Sequence, residues 1–502
     1  MSGSVTLVGA GPGDVGLLTL KGRGAIETAD VVVYDRLVSP EILALIPPDT
    51  RTINVGKASS NHLVPQEQIN QILLDEALAG NHVVRLKGGD PFLFGRGGEE
   101  LELLVEHGVG FEVVPGITSA ISVPAYGGIP VTHRDCCSSL HIITGHARAG
   151  KPLEINFEAL VGTKGTLVFL MGVSSLPQIC QGLLDAGMAG DMPAAVMERG
   201  TTPRQRRISA TLATLPQEAV AQKVESPAII VVGKVCALAE DFDWFDKLPL
   251  KGKSFIVTRP KERAGTLSGR LRSLGAQVSE YPCIETVDIT PCPAMDDALS
   301  RLSEYEWLAF TSPAGVETLW RHLRAQGKDT RALGGVKLAA IGAGTDRTLQ
   351  THGLQADYIP EVYDALHLGQ GLGKLATGKV LILRAQQGSP DLTEALEQAK
   401  IEMDDIAIYT TQYENPQSAQ LRQQIETAET WVTFTSASTV KGFVSSVGAD
   451  ADFSKVKGIC IGAQTAQEAQ TYGIATKVAQ KATINSMVET ILKENLEEPS
   501  WT

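Results

Sequence analysis

Three glycine-rich loops, each placed directly after a short apolar run, are the segments of this chain best suited to holding a small ligand. They are residues 9–14 (Gly-Ala-Gly-Pro-Gly-Asp), 86–100 and 113–120. Glycine lets backbones approach closely, so three such loops at strand ends can together enclose a small, partly apolar molecule. The first loop departs from a dinucleotide fingerprint, because its third glycine falls at Gly13 and Pro12 lacks an amide that a pyrophosphate would use.

Charged side chains in the same half of the chain could move protons and bind anions. Asp35 closes an apolar run, and a positioned carboxylate can accept a proton, although a hydrogen bond to Arg36 or a nearby amide is the plainer interpretation. Arginine pairs carboxylates bidentately, and this half of the chain has five arginines that could do so. They are Arg36, Arg85, Arg96, Arg134 and Arg148.

Histidine and cysteine residues also cluster in this half, and together they could form a metal site. The residues are His133, Cys136, Cys137, His141 and His146. Their spacing fits no standard zinc pattern, so we predict no metal.

The second half contains a diverged internal repeat. Residues 307–312 (Trp-Leu-Ala-Phe-Thr-Ser) return as 431–436 (Trp-Val-Thr-Phe-Thr-Ser), and 341–345 (Ile-Gly-Ala-Gly-Thr) return as 461–465 (Ile-Gly-Ala-Gln-Thr). Two similar α/β lobes around a cleft follow from this repeat, with the equivalent strand-end loops facing the cleft.

Hydroxyl groups recur in these loops and are candidates for carboxylate binding at helix N-termini, although helix capping is an equally good interpretation. They belong to Ser312, Thr345, Ser436 and Thr465. Tyr409 ends a predicted strand, where a tyrosine is more often a packing residue than a catalytic one.

The elements that must position these residues alternate throughout the chain. Short β-branched runs follow amphipathic helical segments, such as 65–79 with its apolar face at Ile69, Ile72 and Leu73, and this alternation predicts an α/β fold. The character of the sequence changes over 240–252, which is charged, aromatic and punctuated by proline and glycine. We therefore predict a domain over 1–246, a linker over 247–253 and a second domain over 254–502.

Composition restricts the partners and the compartment. A net charge of −13, from 44 basic and 57 acidic residues, argues against a nucleic-acid or membrane-surface footprint. The N-terminus lacks the basic and apolar regions of a signal peptide, and no apolar run is long enough to span a membrane. Seven cysteines without CxxC spacing indicate reduced thiols, so we expect a cytoplasmic protein.

The motifs of the first half resemble those of uroporphyrinogen-III C-methyltransferases, in order, over residues 3–246. They include 9–14, 33–38 (Val-Tyr-Asp-Arg-Leu-Val), 87–100, 114–119 and 128–134 (Gly-Ile-Pro-Val-Thr-His-Arg). The resemblance implies a two-lobed tetrapyrrole-methylase fold, usually a homodimer. It also implies a reaction that uses S-adenosylmethionine to methylate two pyrrole carbons of uroporphyrinogen III, giving precorrin-2.

The resemblance also implies roles for individual residues of this sequence. Asp35 matches the position of a proton acceptor and Lys57 that of a proton donor, while Arg36, Arg96 and Arg134 remain the candidates for binding substrate carboxylates. The implied cofactor-binding residues are Pro12, Gly88, Gly89, Asp90, Leu93, Thr118, Ser119, Met171 and Gly200. Leu93 stands where the family often has isoleucine.

The second half resembles uroporphyrinogen-III synthases over roughly 250–497, through the repeat and through segments such as 257–259 (Val-Thr-Arg) and 358–360 (Tyr-Ile-Pro). The resemblance implies two flavodoxin-like lobes joined by a two-stranded connection, which bind hydroxymethylbilane and cyclise it with inversion of the last pyrrole ring. Tyr409 is then the candidate to assist loss of hydroxide, and the Thr345 and Thr465 loops are candidates to hold substrate carboxylates.

These expectations describe a bifunctional enzyme of early tetrapyrrole synthesis, and one alternative stays open. The first half could methylate another precorrin, while the second half serves as a two-lobed ligand-binding or regulatory module. The product would serve the sirohaem or the cobalamin pathway.

Overall fold

The computed structural model describes residues 3–56, 64–146, 153–259, 261–413, 418–427 and 429–496. The chain divides into two compact units, 1–252 and 253–502, which we call the N-terminal unit and the C-terminal unit. Within the predicted linker, Leu250 is buried and the Lys251 ammonium lies 4.1 Å from the centre of the Phe245 ring. Among the described helices, none combines the length and the apolar character needed to cross a membrane.

The first lobe of the N-terminal unit is a parallel sheet with strand order β3-β2-β4-β1-β5. Its strands are β1 (Ser4–Gly9), β2 (Val31–Tyr34), β3 (Arg51–Asn54), β4 (His82–Lys87) and β5 (Gly110–Val114). Its helices are α1 (Leu20–Glu27), α2 (Pro40–Leu43), α3 (Gln66–Leu78) and α4 (Gly97–Glu106).

The second lobe begins with helix α5 (Ser119–Tyr126) and is built on a mixed sheet of order β6-β7-β10-β8-β9. Its strands are β6 (Leu140–Thr144), β7 (Thr166–Leu170), β8 (Pro193–Glu198), β9 (Arg206–Thr211) and β10 (Ala228–Val232). Its further helices are α6 (Phe157–Gly162), α7 (Leu176–Asp185) and α8 (Leu215–Ala221).

Strand β4 lies inside the first sheet, and its alternate residues feed two separate cores. Val83 packs with the Leu101 and Leu104 side chains of α4, whereas Val84 and Leu86 belong to the core on the opposite face. A strand that is buried on both faces usually has a continuous apolar sequence, and β4 has this pattern apart from its two cations. The cations are Arg85 and Lys87, and each needs a partner because a buried charge is otherwise unfavourable.

The C-terminal unit also has two lobes, and one is inserted into the other. The third lobe has sheet order β12-β11-β18-β19-β20, with strands β11 (Ser254–Val257), β12 (Gln277–Glu280), β18 (Thr430–Phe434), β19 (Val456–Cys460) and β20 (Ala475–Val478). Its helices are α9 (Lys261–Ser273), α15 (Ser418–Thr427), α16 (Ala437–Val447), α17 (Ala463–Gln470) and α18 (Ile484–Leu496).

The fourth lobe has sheet order β13-β17-β16-β14-β15, with strands β13 (Glu285–Asp288), β14 (Tyr305–Phe310), β15 (Lys337–Ala340), β16 (Lys379–Ala385) and β17 (Met403–Gln412). Its helices are α10 (Pro293–Ser300), α11 (Pro313–Ala325), α12 (Ala343–Thr351), α13 (Ala365–Leu375) and α14 (Asp391–Gln398). Strands β13 and β17, which lead into and out of this lobe, pair antiparallel from Glu285–Gln412 to Asp288–Tyr409.

The internal repeat is present in three dimensions. The order β17-β16-β14-β15 in the fourth lobe corresponds to β12-β11-β18-β19 in the third. Even a cross-strand pair recurs, since Lys337 lies 5.2 Å from the Trp307 ring and Lys457 lies 5.8 Å from the Trp431 ring. The predicted fold class, two α/β lobes followed by two repeated α/β lobes with a two-stranded connection, is confirmed.

Candidate active sites

The three glycine loops of the first lobe meet at the carboxyl ends of β1, β4 and β5. Gly11 and Gly89 exchange backbone hydrogen bonds of 3.1 and 2.7 Å. A Cβ added to Gly116 would lie 2.2 Å from the Gly89 carbonyl oxygen and 2.6 Å from Gly9 Cα, so these backbones approach more closely than any larger residue allows. Gly89 has φ +70°, and a Cβ there would meet no atom within 4 Å, so this part of the loop borders open space.

Asp90 joins two of these loops through its carboxylate. Oδ1 accepts hydrogen bonds from the amides of Phe92 (2.8 Å) and Leu93 (3.1 Å), and Oδ2 accepts one from the amide of Gly116 (2.9 Å). All three of these hydrogen bonds come from backbone amides. Asp90 therefore stabilises the conformation of the predicted cofactor loop and holds it against Gly116.

Contacts with the second lobe close this loop cluster. The Tyr126 hydroxyl donates a 2.7 Å hydrogen bond to Asp14 Oδ2, and the Asp14 amide donates one of 3.2 Å to Thr201 Oγ1. Burial, together with the Asp14 hydrogen bond, raises the pKa of Tyr126, so its hydroxyl stays a neutral donor. Leu93 packs against the second-lobe core.

The remaining predicted cofactor residues lie around these contacts. Thr118 caps α5, which Ser119 begins, by accepting a 3.3 Å hydrogen bond from the Ala120 amide. A Cβ on Gly200 would lie 2.2 Å from Val123 of α5, so this glycine permits the contact. Met171 follows β7, has φ +56° and is half exposed.

Four charged side chains adjoin the loops, and we call Asp35, Arg85, Lys87 and Glu100 the ion network; the last three are buried and Asp35 is partly exposed. Glu100 Oε1 accepts hydrogen bonds from Arg85 Nε (3.1 Å) and Lys87 Nζ (2.7 Å), and an Arg85 terminal nitrogen lies 3.5 Å from Asp35 Oδ2. Burial, then the charge of Arg85, lowers the pKa of Lys87 against the opposing effect of Glu100. Arg85 is 2% exposed, so it serves this network and is not available as a surface arginine for substrate.

Of the predicted proton-transfer pair, Asp35 can be placed and Lys57 lies outside the described residues. Asp35 follows β2, and its Oδ1 accepts a 3.0 Å hydrogen bond from the Leu37 amide. The three predicted substrate arginines are all exposed, and Arg96 pairs with Glu99 at 2.5 Å. No group of three or more metal-ligating side chains is found in the described part of the chain.

In the C-terminal unit the structure brings together two residues that the sequence had suggested separately. Ser312 Oγ and Tyr409 Oη lie 2.6 Å apart, and Ser312 also caps α11 by accepting a 3.1 Å hydrogen bond from the Gly315 amide. Tyr409 is 5% exposed. The tyrosine hydroxyl is therefore held against the N-terminus of a helix.

The equivalent serine of the third lobe has a different partner. Ser436 caps α16 in a reciprocal capping box with Thr439, and its hydroxyl lies 2.8 Å from the hydroxyl of Ser438. Thr345 and Thr465 occupy the same third position of α12 and α17, each after a glycine cap, and both are buried.

Sequence reasoning missed the partners that hold these sites together. Glu100 and Tyr126 were not singled out, nor was Asp288, whose pairing with Arg321 at 2.7 Å ties β13 to α11. The hydrogen bonds from Arg321 lower the pKa of Asp288. One signal was available, since two cations inside the apolar run of β4 require a buried anion.

Comparison with known proteins agrees with both halves of this architecture. A family model described as tetrapyrrole (corrin/porphyrin) methylases matches residues 4–216, and one described as uroporphyrinogen-III synthase HemD matches residues 265–489. A "porphyrin biosynthesis protein HemD" of Ruminiclostridium josui is 49% identical over 98% of this chain and 98% of its own length. The chain belongs to this family of fused tetrapyrrole methylase–uroporphyrinogen-III synthase proteins.

Two further proteins similar to this chain are named as methyltransferases. A uroporphyrinogen-III C-methyltransferase of Bacillus subtilis is 41% identical over 70% of this chain and 72% of its own. A solved uroporphyrin-III C-methyl transferase from Thermus thermophilus, complexed with S-adenyl homocysteine, is 42% identical over 47% of this chain and 100% of its own, with a TM-score of 0.41.

The predicted function class is confirmed by the family. The chain is a bifunctional enzyme of tetrapyrrole biosynthesis, combining a methyltransferase with a uroporphyrinogen-III synthase. S-adenosylmethionine, the predicted cofactor, is the methyl donor that this methylase family uses.

Proposed function

We propose that the C-terminal unit closes hydroxymethylbilane to uroporphyrinogen III and that the N-terminal unit methylates this product twice to precorrin-2. The observation that carries the proposal is the convergence of the three glycine loops beside Asp35. Glycine loops whose backbones lie close together can enclose a cofactor. The Asp35 carboxylate can then take part in the acid-base step. The division of labour follows the predicted domains, 1–246 and 254–502.

In the N-terminal unit, S-adenosylmethionine would supply the methyl group when bound. We assign its binding to the loops that carry Pro12, Gly88–Asp90 and Leu93, together with Thr118–Ser119, Met171 and Gly200. Asp90 acts by holding its loop against Gly116. After methylation the ring system is cationic and must lose a proton, which Asp35 accepts, with Lys57 as proton donor. Arg36, Arg96 and Arg134 are exposed and suited to pairing substrate carboxylates.

In the C-terminal unit, Tyr409 assists departure of hydroxide from the bilane by donating its hydroxyl proton. Ser312 orients that hydroxyl at 2.6 Å. The loops of Thr345, Ser436 and Thr465 begin helices, and the N-terminus of a helix favours a substrate carboxylate.

We further propose a homodimer formed through the N-terminal unit and a cytoplasmic location. The seven cysteines are free thiols, which suits a reducing compartment. Light scattering on the purified protein tests the dimer, since a monomeric mass would contradict it. Cell fractionation tests the location.

One assay tests the two reactions together. The protein is supplied with hydroxymethylbilane and S-adenosylmethionine, and the product is followed by absorbance and mass. We expect a type III macrocycle carrying two added methyl groups. A type I macrocycle, the product of spontaneous closure, would contradict the synthase, and a product mass without added methyl groups would contradict the methyltransferase.

A further inference from the structure

Glu100 is the most deeply buried member of the ion network. Its side chain is 0% exposed, and one oxygen, Oε1, accepts from Arg85 Nε, Lys87 Nζ and Gln66 Nε2, the last at 3.2 Å. Its second oxygen, Oε2, has no hydrogen-bond partner among the described residues. Glu100 stands in the first turn of α4, where the helix dipole favours a negative charge.

Arg85 links this buried carboxylate to Asp35. Its Nε is held by Glu100 and one terminal nitrogen by the Leu86 carbonyl oxygen at 3.0 Å, while the other terminal nitrogen stops 3.5 Å from Asp35. Charge-assisted hydrogen bonds between nitrogen and carboxylate oxygen usually measure about 2.7–2.9 Å, so the pairing with Asp35 is loose. Asp35 is also the most exposed member of the network, at 27% for its side chain.

We propose that Glu100 is a positioning residue for methyl transfer, which keeps Arg85 from closing a full ion pair with Asp35. The inference rests on the proposed role of Asp35. When a ring carbon bonds to the methyl group, the methyl–sulfur bond breaks and the ring becomes cationic. A C–H bond then breaks, its electron pair neutralises the ring, and its proton passes to Asp35. A carboxylate clamped by Arg85 accepts that proton less readily.

Glu100→Gln removes the charge while keeping an acceptor in the position of Oε1. With its buried anion gone, Arg85 is drawn to Asp35 and proton removal slows. We expect kcat for methylation of supplied uroporphyrinogen III to fall at least about 10-fold. The dissociation constant of S-adenosylhomocysteine, measured by calorimetry, should stay within about 2-fold. With substrate deuterated at the carbons that lose the proton, the isotope effect on kcat should rise, and Glu100→Asp should recover part of the rate.

The matched control is Glu102→Gln, an exposed position on the same helix, which should leave kcat, the dissociation constant of S-adenosylhomocysteine and the isotope effect unchanged. If Glu100→Gln does not fold, Glu100→Gln combined with Lys87→Met removes one anion and one cation and keeps the network neutral. The same loss of kcat and the same rise in isotope effect are expected from this double variant.

The proposal is overturned if the folded variant keeps wild-type kcat, if its isotope effect is unchanged, or if binding of S-adenosylhomocysteine weakens in proportion to kcat. Asp35→Asn separates this failure from failure of the proposed function. If Asp35→Asn stays fully active, the role of Asp35 itself is wrong. If Asp35→Asn is impaired while Glu100→Gln is normal, only the positioning role fails.

Discussion

The two units place different polar groups at their candidate sites. In the N-terminal unit a carboxylate, Asp35, is backed by buried charges, whereas in the C-terminal unit a tyrosine hydroxyl is backed by a serine at a helix N-terminus. The difference fits the two proposed reactions. Methylation leaves a cation that must lose a proton, which calls for a base, while loss of hydroxide calls for a neutral proton donor.

The two sites also depend differently on the backbone. The candidate cofactor loops of the N-terminal unit are fixed by contacts that only glycine permits, between Gly9, Gly89 and Gly116. In the C-terminal unit the candidate residues are side chains at helix starts, which Ser312 and Ser436 cap. Substitutions should therefore affect the first site through its shape and the second through single hydroxyl groups.

Gly116→Ala should give the largest effect. Its Cβ would lie 2.2 Å from the Gly89 carbonyl oxygen, so the loops must separate, at a cost of about 3 kcal/mol. We expect binding of S-adenosylhomocysteine to weaken about 100-fold, measured by calorimetry, while cyclisation of hydroxymethylbilane continues.

The control for this substitution is Gly98→Ala, because a Cβ at Gly98 would meet no atom within 4 Å. Binding by Gly116→Ala within about 3-fold of wild type would show that the loop contact does not set cofactor affinity. Loss of both activities would mean instead that the whole chain had become unstable.

Tyr409→Phe should lower the rate of cyclisation at least about 10-fold, because it removes the proposed proton donor but keeps the ring that packs in the fourth lobe. Methylation of supplied uroporphyrinogen III should be unchanged, since the substitution lies in the other unit. The measurement is the rate of type III macrocycle formation. A rate within a few-fold of wild type would contradict the proposed catalytic role of Tyr409.

Sequence reasoning identified the fold and the loops because their signals are local. Alternating strand and helix patterns and strand-end glycines are visible in a short window, and each copy of the repeat, 307–312 and 431–436, is a continuous short segment. The pairing of β13 with β17 joins residues more than 100 positions apart, and the resemblance supplied that feature where periodicity could not.

The support around each site could not be predicted in the same way. Glu100 contacts Arg85 and Lys87 only because α4 packs on one face of β4. The spacing of residues along the chain does not predict which helix packs on which strand. Ser312 and Tyr409 are 97 residues apart, and each alone has an ordinary structural interpretation. Their contact comes from the order of strands in the fourth lobe.

The repeated serines allow a test within the C-terminal unit itself. Ser312→Ala and Ser436→Ala each remove a helix cap, which should cost about 1 kcal/mol of unfolding free energy in both cases. Ser312 also contacts Tyr409, whereas Ser436 contacts Ser438. We therefore expect Ser312→Ala to reduce the cyclisation rate about 3- to 10-fold further than Ser436→Ala. Equal rates in the two variants would show that the Tyr409 contact has no part in the reaction.

Glu306 should give the smallest effect, because it stabilises the fourth lobe from near the surface and lies outside the candidate site. Hydrogen bonds from the Thr377 amide, from Lys337 and from the Gly378 amide lower the pKa of Glu306 to about 2. A carboxyl whose pKa is lower in the folded state stabilises the fold above its unfolded pKa, and this contribution is lost as the pH falls towards 2. Glu306→Gln should thus lower Tm by about 2–4 °C at pH 7, measured by calorimetry.

The difference in Tm between Glu306→Gln and wild type should shrink once the pH drops below 4.5, the ordinary pKa of a glutamate. The exposed Glu361→Gln serves as control, with no change in Tm at pH 7. A Tm difference that persists unchanged in acid would mean that Glu306 acts through its shape and not its charge. Both enzyme activities should be normal at pH 7, because the charge at Glu306 acts on the fourth lobe, whereas the proposed role of the charge at Glu100 is in the reaction.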